Sequence, residues 1–104
     1  MTKLAITLNR SGDQSFEEFR AYYVEEHAPL AADLPGLERY TVSFPADPES
    51  ASYDALAELY FSDGESMGAA FDSDLGREVT ADAESFADMD AAERVVLEEE
   101  VVVD

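Results

Sequence analysis

The chain opens on an alternation: Leu4, Ile6 and Leu8 are apolar, while Ala5, Thr7 and Asn9 between them are small or polar. A period of two predicts a half-buried β-strand, ended by the turn residues Asn9 to Asp13. The period then changes. Phe16, Phe19, Tyr23, His27, Leu30 and Leu34 follow at steps of three or four, the stripe of an amphipathic helix, and Ser15 with Glu18 has capping-box spacing at its start. Pro29 has no N–H to offer the Glu25 carbonyl and its ring crowds that turn, so the helix is expected to kink or end near Ala28. Leu34-Pro35-Gly36-Leu37 reads as a type II turn, with glycine where a positive φ is needed.

Alternation returns twice more. From Leu37 to Phe44, Glu38, Tyr40, Val42 and Phe44 share one face; from Tyr53 to Phe61, Tyr53, Ala55, Ala57, Leu59 and Phe61 do. The polar loop at 45–52 between these two strands predicts a hairpin. Ser62 and Glu65 repeat the capping-box spacing ahead of a helix that would bury Met67, Ala70, Phe71 and Leu75, although Gly68 weakens it by about 1 kcal/mol relative to alanine. A second helical piece presents Val79, Ala83 and Phe86, and a valine-rich strand is expected from Arg94 to Val103. This order, βαββαβ, is the α+β ferredoxin-like plan: an antiparallel sheet with helices over one face. Large apolar residues occur in both alternating rows, so the second face needs a cover of its own, and a homodimer joined sheet to sheet supplies one.

Composition narrows the setting. With 104 residues, the chain suits a single domain over 1–104 that buries roughly two-thirds of the surface exposed when unfolded. Twenty-five Asp and Glu against six basic residues give a formal charge of −19, dispersed along the whole chain. Such self-repulsion weakens the compact state in dilute buffer, whereas at about 1 M salt the Debye length shrinks to roughly 3 Å. The composition is therefore that expected of a halophile's cytoplasm. The arginines are scattered, which disfavours nucleic acid as a partner. No apolar run is long enough for a membrane span, and the absence of cysteine removes thiolate chemistry and disulfides.

Three stretches, FRAYYVEEHAPLAADLPGLERY (19–40), YDALAELYFSDGESMGAAF (53–71) and the run from Ala81-Asp82 to Phe86, together resemble the EthD family. The resemblance implies membership of the dimeric α+β barrel superfamily, with a pocket between each sheet and its helices. It also implies a histidine at the position of His27. EthD proteins are tied to ethyl tert-butyl ether degradation gene clusters without a settled activity, and relatives include small decarboxylases, cyclases, isomerases and cofactor-free oxygenases of hydrophobic compounds. The present chain departs from that pattern mainly in its acidity.

His27, the only histidine, is the candidate catalytic group. It follows Tyr23 by one turn and Phe19 by two, so all three project from one side of the helix. Two readings stand. The imidazole fills space and bonds a backbone carbonyl, such as the one Pro29 frees at Glu25; or it works as a general acid or base in an aromatic pocket, since imidazole gives and takes protons near neutrality. In the second reading Tyr23, Tyr60, Phe71 and Phe86 are the expected contacts of a hydrophobic small molecule. A carboxylate partner would orient the ring, and Glu58 and Glu99, each between apolar neighbours on a strand, are candidates if their rows face the helices. A non-catalytic ligand-binding dimer is the alternative. No metal or cofactor is expected: one histidine without cysteine falls short of the usual zinc sets, and in Asp72-Ser73-Asp74-Leu75-Gly76 glycine occupies a ligand position of a calcium loop.

Overall fold

In the computed structural model, which describes all 104 residues, strand β1 (Thr2–Leu8) runs through the middle of a four-stranded antiparallel sheet of order β2-β3-β1-β4. Its neighbours are β3 (Ala55–Phe61) and β4 (Arg94–Glu98), and β2 (Arg39–Ser43) extends the sheet beyond β3. Register follows from the alternation: Leu4 pairs with Leu59 and Ile6 with Ala57, while Tyr40 pairs with Leu59 on the other side. Leu4, Leu8, Ala55, Ala57, Leu59 and Phe61 are buried on one face, against the helices. The architecture is α+β and ferredoxin-like.

Ser15 caps α1 (Phe16–Tyr22) with both halves of the expected capping box: its hydroxyl accepts from the Glu18 N–H at 3.1 Å, and its own N–H donates to the Glu18 carboxylate at 2.8 Å. The helix does not end at Pro29. Instead Tyr23–His27 forms a π-helical turn, in which the Ala28 N–H reaches the Tyr23 carbonyl five residues back, and a further α-helical turn, α2 (Ala28–Ala31), carries the proline inside its first turn. Widening the turn just ahead of the proline accommodates the missing donor and the ring without breaking the rod. Gly36 then turns the chain at φ 78° with the Leu37 N–H on the Leu34 carbonyl, as the type II reading requires.

The second half departs from expectation in two places. α3 (Gly64–Asp72) is capped by Asp63 rather than Ser62, its carboxylate accepting the Ser66 N–H at 2.7 Å. A carboxylate at a helix N-terminus interacts with the macrodipole as well as the orphan N–H, which favours it over a neighbouring hydroxyl. β4 stops at Glu98 because its partner does: Glu98 pairs with Thr2, and only the Glu99 N–H still finds the Met1 carbonyl. Val101, Val102 and Val103 lie exposed beyond it.

Ser73 links α3 to α4 (Asp74–Phe86), serving as last-residue boundary of one and N-cap of the other. The two helices approach closely at Gly76, where a Cβ would lie 2.3 Å from the Ala70 carbonyl oxygen. From α4, Val79, Ala83 and Phe86 are buried, with the Phe86 ring 5.5 Å from Phe19 and 5.8 Å from Tyr23.

Candidate functional site

The π turn and α4 bring together two side chains from distant parts of the chain. His27 is buried, and its Nδ1 lies 2.8 Å from Oδ2 of Asp82, which projects from the middle of α4. The other carboxylate oxygen accepts the Tyr22 hydroxyl at 2.7 Å. An ionised carboxylate only accepts, so Nδ1 carries a proton, and in the neutral ring Nε2 then holds the lone pair. The ring is clamped on its flanks, 5.1 Å from the Tyr23 ring and 5.1 Å from that of Phe86. Such an arrangement is chemically able to act as an oriented base, with one nitrogen tied to an acid and the other without a protein partner.

His27 borders a cavity of about 260 Å³ between sheet and helices. Leu4, Ile6, Leu8, Ala57 and Leu59 form its floor, and Tyr23, Ala31, Phe71, Val79 and Ala83 stand above them. Thr80 and Arg94 are the exposed members of the lining and mark where it reaches the surface. No side-chain nitrogen or oxygen of a covered residue is sealed from solvent without a hydrogen-bond partner, so the unbonded Nε2 of buried His27 keeps some accessible surface. Tyr40 joins the lining from β2, its hydroxyl 2.5 Å from that of Tyr23. Burial holds both phenols in the protonated form, pushing Tyr40 up to about 12 and Tyr23 higher still.

Of the expected contact residues, Tyr23 and Phe71 line the cavity with His27. Phe86 is behind the imidazole and packs it from the rear. Tyr60 is elsewhere: it alternates with Leu59 and Phe61 and emerges on the opposite face of the sheet, its hydroxyl on Glu99 at 2.9 Å. Glu58 and Glu99 are on that face too, both bonded to Lys3, at 2.6 and 3.0 Å. Their hydrogen bonds push the Lys3 ammonium up, and the Lys3 bond, followed by that of Tyr60, holds Glu99 below the usual carboxylate range. Neither glutamate orients His27.

The acid that does, Asp82, stands three residues after Val79 and four before Phe86, within the buried stripe of α4. An acid at helical spacing between apolar residues was the available signal. Arg94 and Thr80 had none, because their relation to the cavity depends on how an edge strand and a helix end are placed.

The fold and the site together define a small ferredoxin-like α+β protein with a histidine–aspartate pair beside an apolar cavity. Residues 12–90 match the EthD domain. A protein of 11.0 kDa from the thcB-thcC intergenic region of Rhodococcus erythropolis, uncharacterised, is 33% identical over 91 residues, 84% of each chain. Among solved structures, an ethyl tert-butyl ether D (EthD) family protein from Bacillus halodurans superposes with a TM-score of 0.80 at 27% identity, over 96% of this chain and all of that one. SnoaB, a cofactor-independent oxygenase from Streptomyces nogalater, shares the fold at a TM-score of 0.73 and 13% identity, over 99% of this chain and 97% of its own. A dimeric ferredoxin-like protein of unknown function from Jannaschia does so at 0.69 and 18%, over 94% and 98%. The chain belongs to the EthD family. No helix in it is long and apolar enough to cross a membrane.

Proposed function

We propose that this protein is a cofactor-independent enzyme of the isomerase, decarboxylase, cyclase or monooxygenase kind, acting on a hydrophobic small molecule with His27 as acid and base. The observation that carries the proposal is the His27–Asp82 bond at 2.8 Å, which leaves Nε2 without a protein partner in a residue that lines an apolar cavity. A carboxylate on Nδ1 keeps the ring in one tautomer and stabilises the imidazolium that forms when Nε2 takes a proton. Low polarity around the pair strengthens both effects. The Streptomyces oxygenase is an example of cofactor-free chemistry on the same fold.

The protein acts, in this reading, as a homodimer whose outer sheet faces meet. Val95 and Leu97 are exposed at 51% and 39%, and the Jannaschia relative is a dimer. Its setting is a salt-rich cytoplasm, in line with the charge of −19.

The test is a panel of hydrophobic carbonyl and phenolic compounds incubated with wild type and His27→Gln, with both binding and product formation followed by mass spectrometry. Turnover that disappears in His27→Gln while binding persists is the expected result. Binding without turnover in either protein would instead make this a carrier that sequesters its ligand.

A further inference from the structure

The hydrogen count at the Tyr23–Tyr40 contact leaves one proton without a protein acceptor. Two phenols bring two O–H groups; one donates to the other oxygen at 2.5 Å, and neither hydroxyl has another bond within the protein. Both residues line the cavity. The second O–H thus has no protein acceptor and belongs to a residue that lines the cavity, and it is strengthened as a donor by the bond its oxygen receives. Tyr23 sits beside the base, with ring centres 5.1 Å apart. The cavity thus offers one hydrogen-bond donor and one proton acceptor, in otherwise apolar surroundings.

We infer that the tyrosine pair is an oxyanion-binding donor, and that the ligand class is an apolar ketone or ester with an enolisable C–H next to its carbonyl. The inference rests on the proposed acid-base role of His27. In the step it supports, the C–H bond breaks as its proton moves to Nε2. The C–H electron pair becomes the C=C bond of the enolate, and the carbonyl π pair moves to oxygen, where the free phenolic O–H meets it. The imidazolium, held by Asp82, then returns the proton to carbon at the same or a conjugated position. Atoms and charge balance without an oxidant, reductant or cofactor. Because burial keeps both phenols protonated, the donor persists at neutral pH. Size agrees as well: a protein cavity of roughly 150 Å³ holds one benzene ring, so 260 Å³ has room for a two-ring compound.

The test uses 2-tetralone in D₂O, with exchange of its α-protons followed by proton NMR, and naphthalene binding measured in parallel by fluorescence. Wild type is expected to accelerate exchange over buffer. Either single Tyr→Phe variant keeps one hydroxyl, so the informative variant is Tyr23→Phe with Tyr40→Phe, which should lose about 10²-fold in exchange while naphthalene affinity stays within about twofold. Unchanged exchange in the double variant, or wild-type binding of naphthalene with no acceleration, overturns the oxyanion role and leaves the ligand cavity standing. Failure to bind either compound overturns the proposed function itself. Should the double variant not fold, wild type alone decides: 2-naphthol, which can accept from the pair and donate to Nε2, should bind about tenfold tighter than naphthalene, and equal affinity refutes the inference.

Discussion

His27 and Asp82 divide a task that neither performs alone: the carboxylate decides which imidazole nitrogen is bare, and the backbone decides where that nitrogen points. With one histidine in the chain, its imidazole gives a single pair of nitrogen-15 signals. In its neutral form the wild-type ring should carry the proton on Nδ1, and Asp82→Ala should shift the population toward the Nε2–H form that the free histidine side chain prefers. The tyrosines make a second prediction, with its sign set by burial. Unfolded tyrosine ionises near pH 10, whereas Tyr40 and Tyr23 in the folded state have raised pKa values. Their contribution to stability is complete below about pH 10 and falls away as pH rises through about 12. A titration at 295 nm should therefore find Tyr23 and Tyr40 ionising at higher pH than free tyrosine. At this scale the sequence was informative about His27 and less so about its partner. Position on the apolar stripe singles out the histidine, but Glu58 and Glu99 have the same apolar flanks in sequence as a buried acid would. Only the pleat, which sends them to Lys3 on the far face, tells them apart from Asp82.

Elements were easier to read than their ends. Alternation and helical spacing place every strand and helix because burying one face is what each element is for. Boundaries depend on partners: β4 ends where β1 has no more residues to pair, and α3 starts at the stronger of two adjacent caps. Pro29 announces a disturbance in the first helix, yet whether the rod breaks or widens is settled by packing on both sides of it. The α3–α4 junction was invisible from sequence, since Gly76 resembles an ordinary weak point in a helix until the Ala70 carbonyl is seen against it. Gly76→Ala should accordingly destabilise by about 1–3 kcal/mol, opposite to the gain expected at an open helical site. Gly68→Ala, where nothing lies within 4 Å of an added Cβ, should stabilise by up to about 1 kcal/mol. Urea unfolding of the two variants checks both signs.

The whole molecule is governed by its surplus of acid and by an unfinished sheet. A formal charge of −19 on 104 residues predicts a melting temperature that climbs as KCl is raised from low to multimolar concentration. A flat dependence would remove the salt adaptation read from composition. The sheet predicts association: β4 exposes Val95, Val96 and Leu97 along an edge that pairs only with β1, a surface soluble proteins seldom leave uncovered. Sedimentation in high salt should give a dimer, and Leu97→Asp should shift it toward monomer.

The π turn has a consequence for how this site is inherited. A π turn amounts to an α-helix with one residue too many, and each residue advances an α-helix by about 100°. Removing a single residue between Tyr23 and His27 would let the rod close into a regular helix, with the turns before and after it still close to their present phase and only the residues of the turn itself repositioned. The sheet, the caps and the α3–α4 contact involve none of these residues. A lineage could thus lose or regain the widened turn through a one-codon change while keeping its scaffold, so relatives that share this fold need not share the backbone geometry around the imidazole.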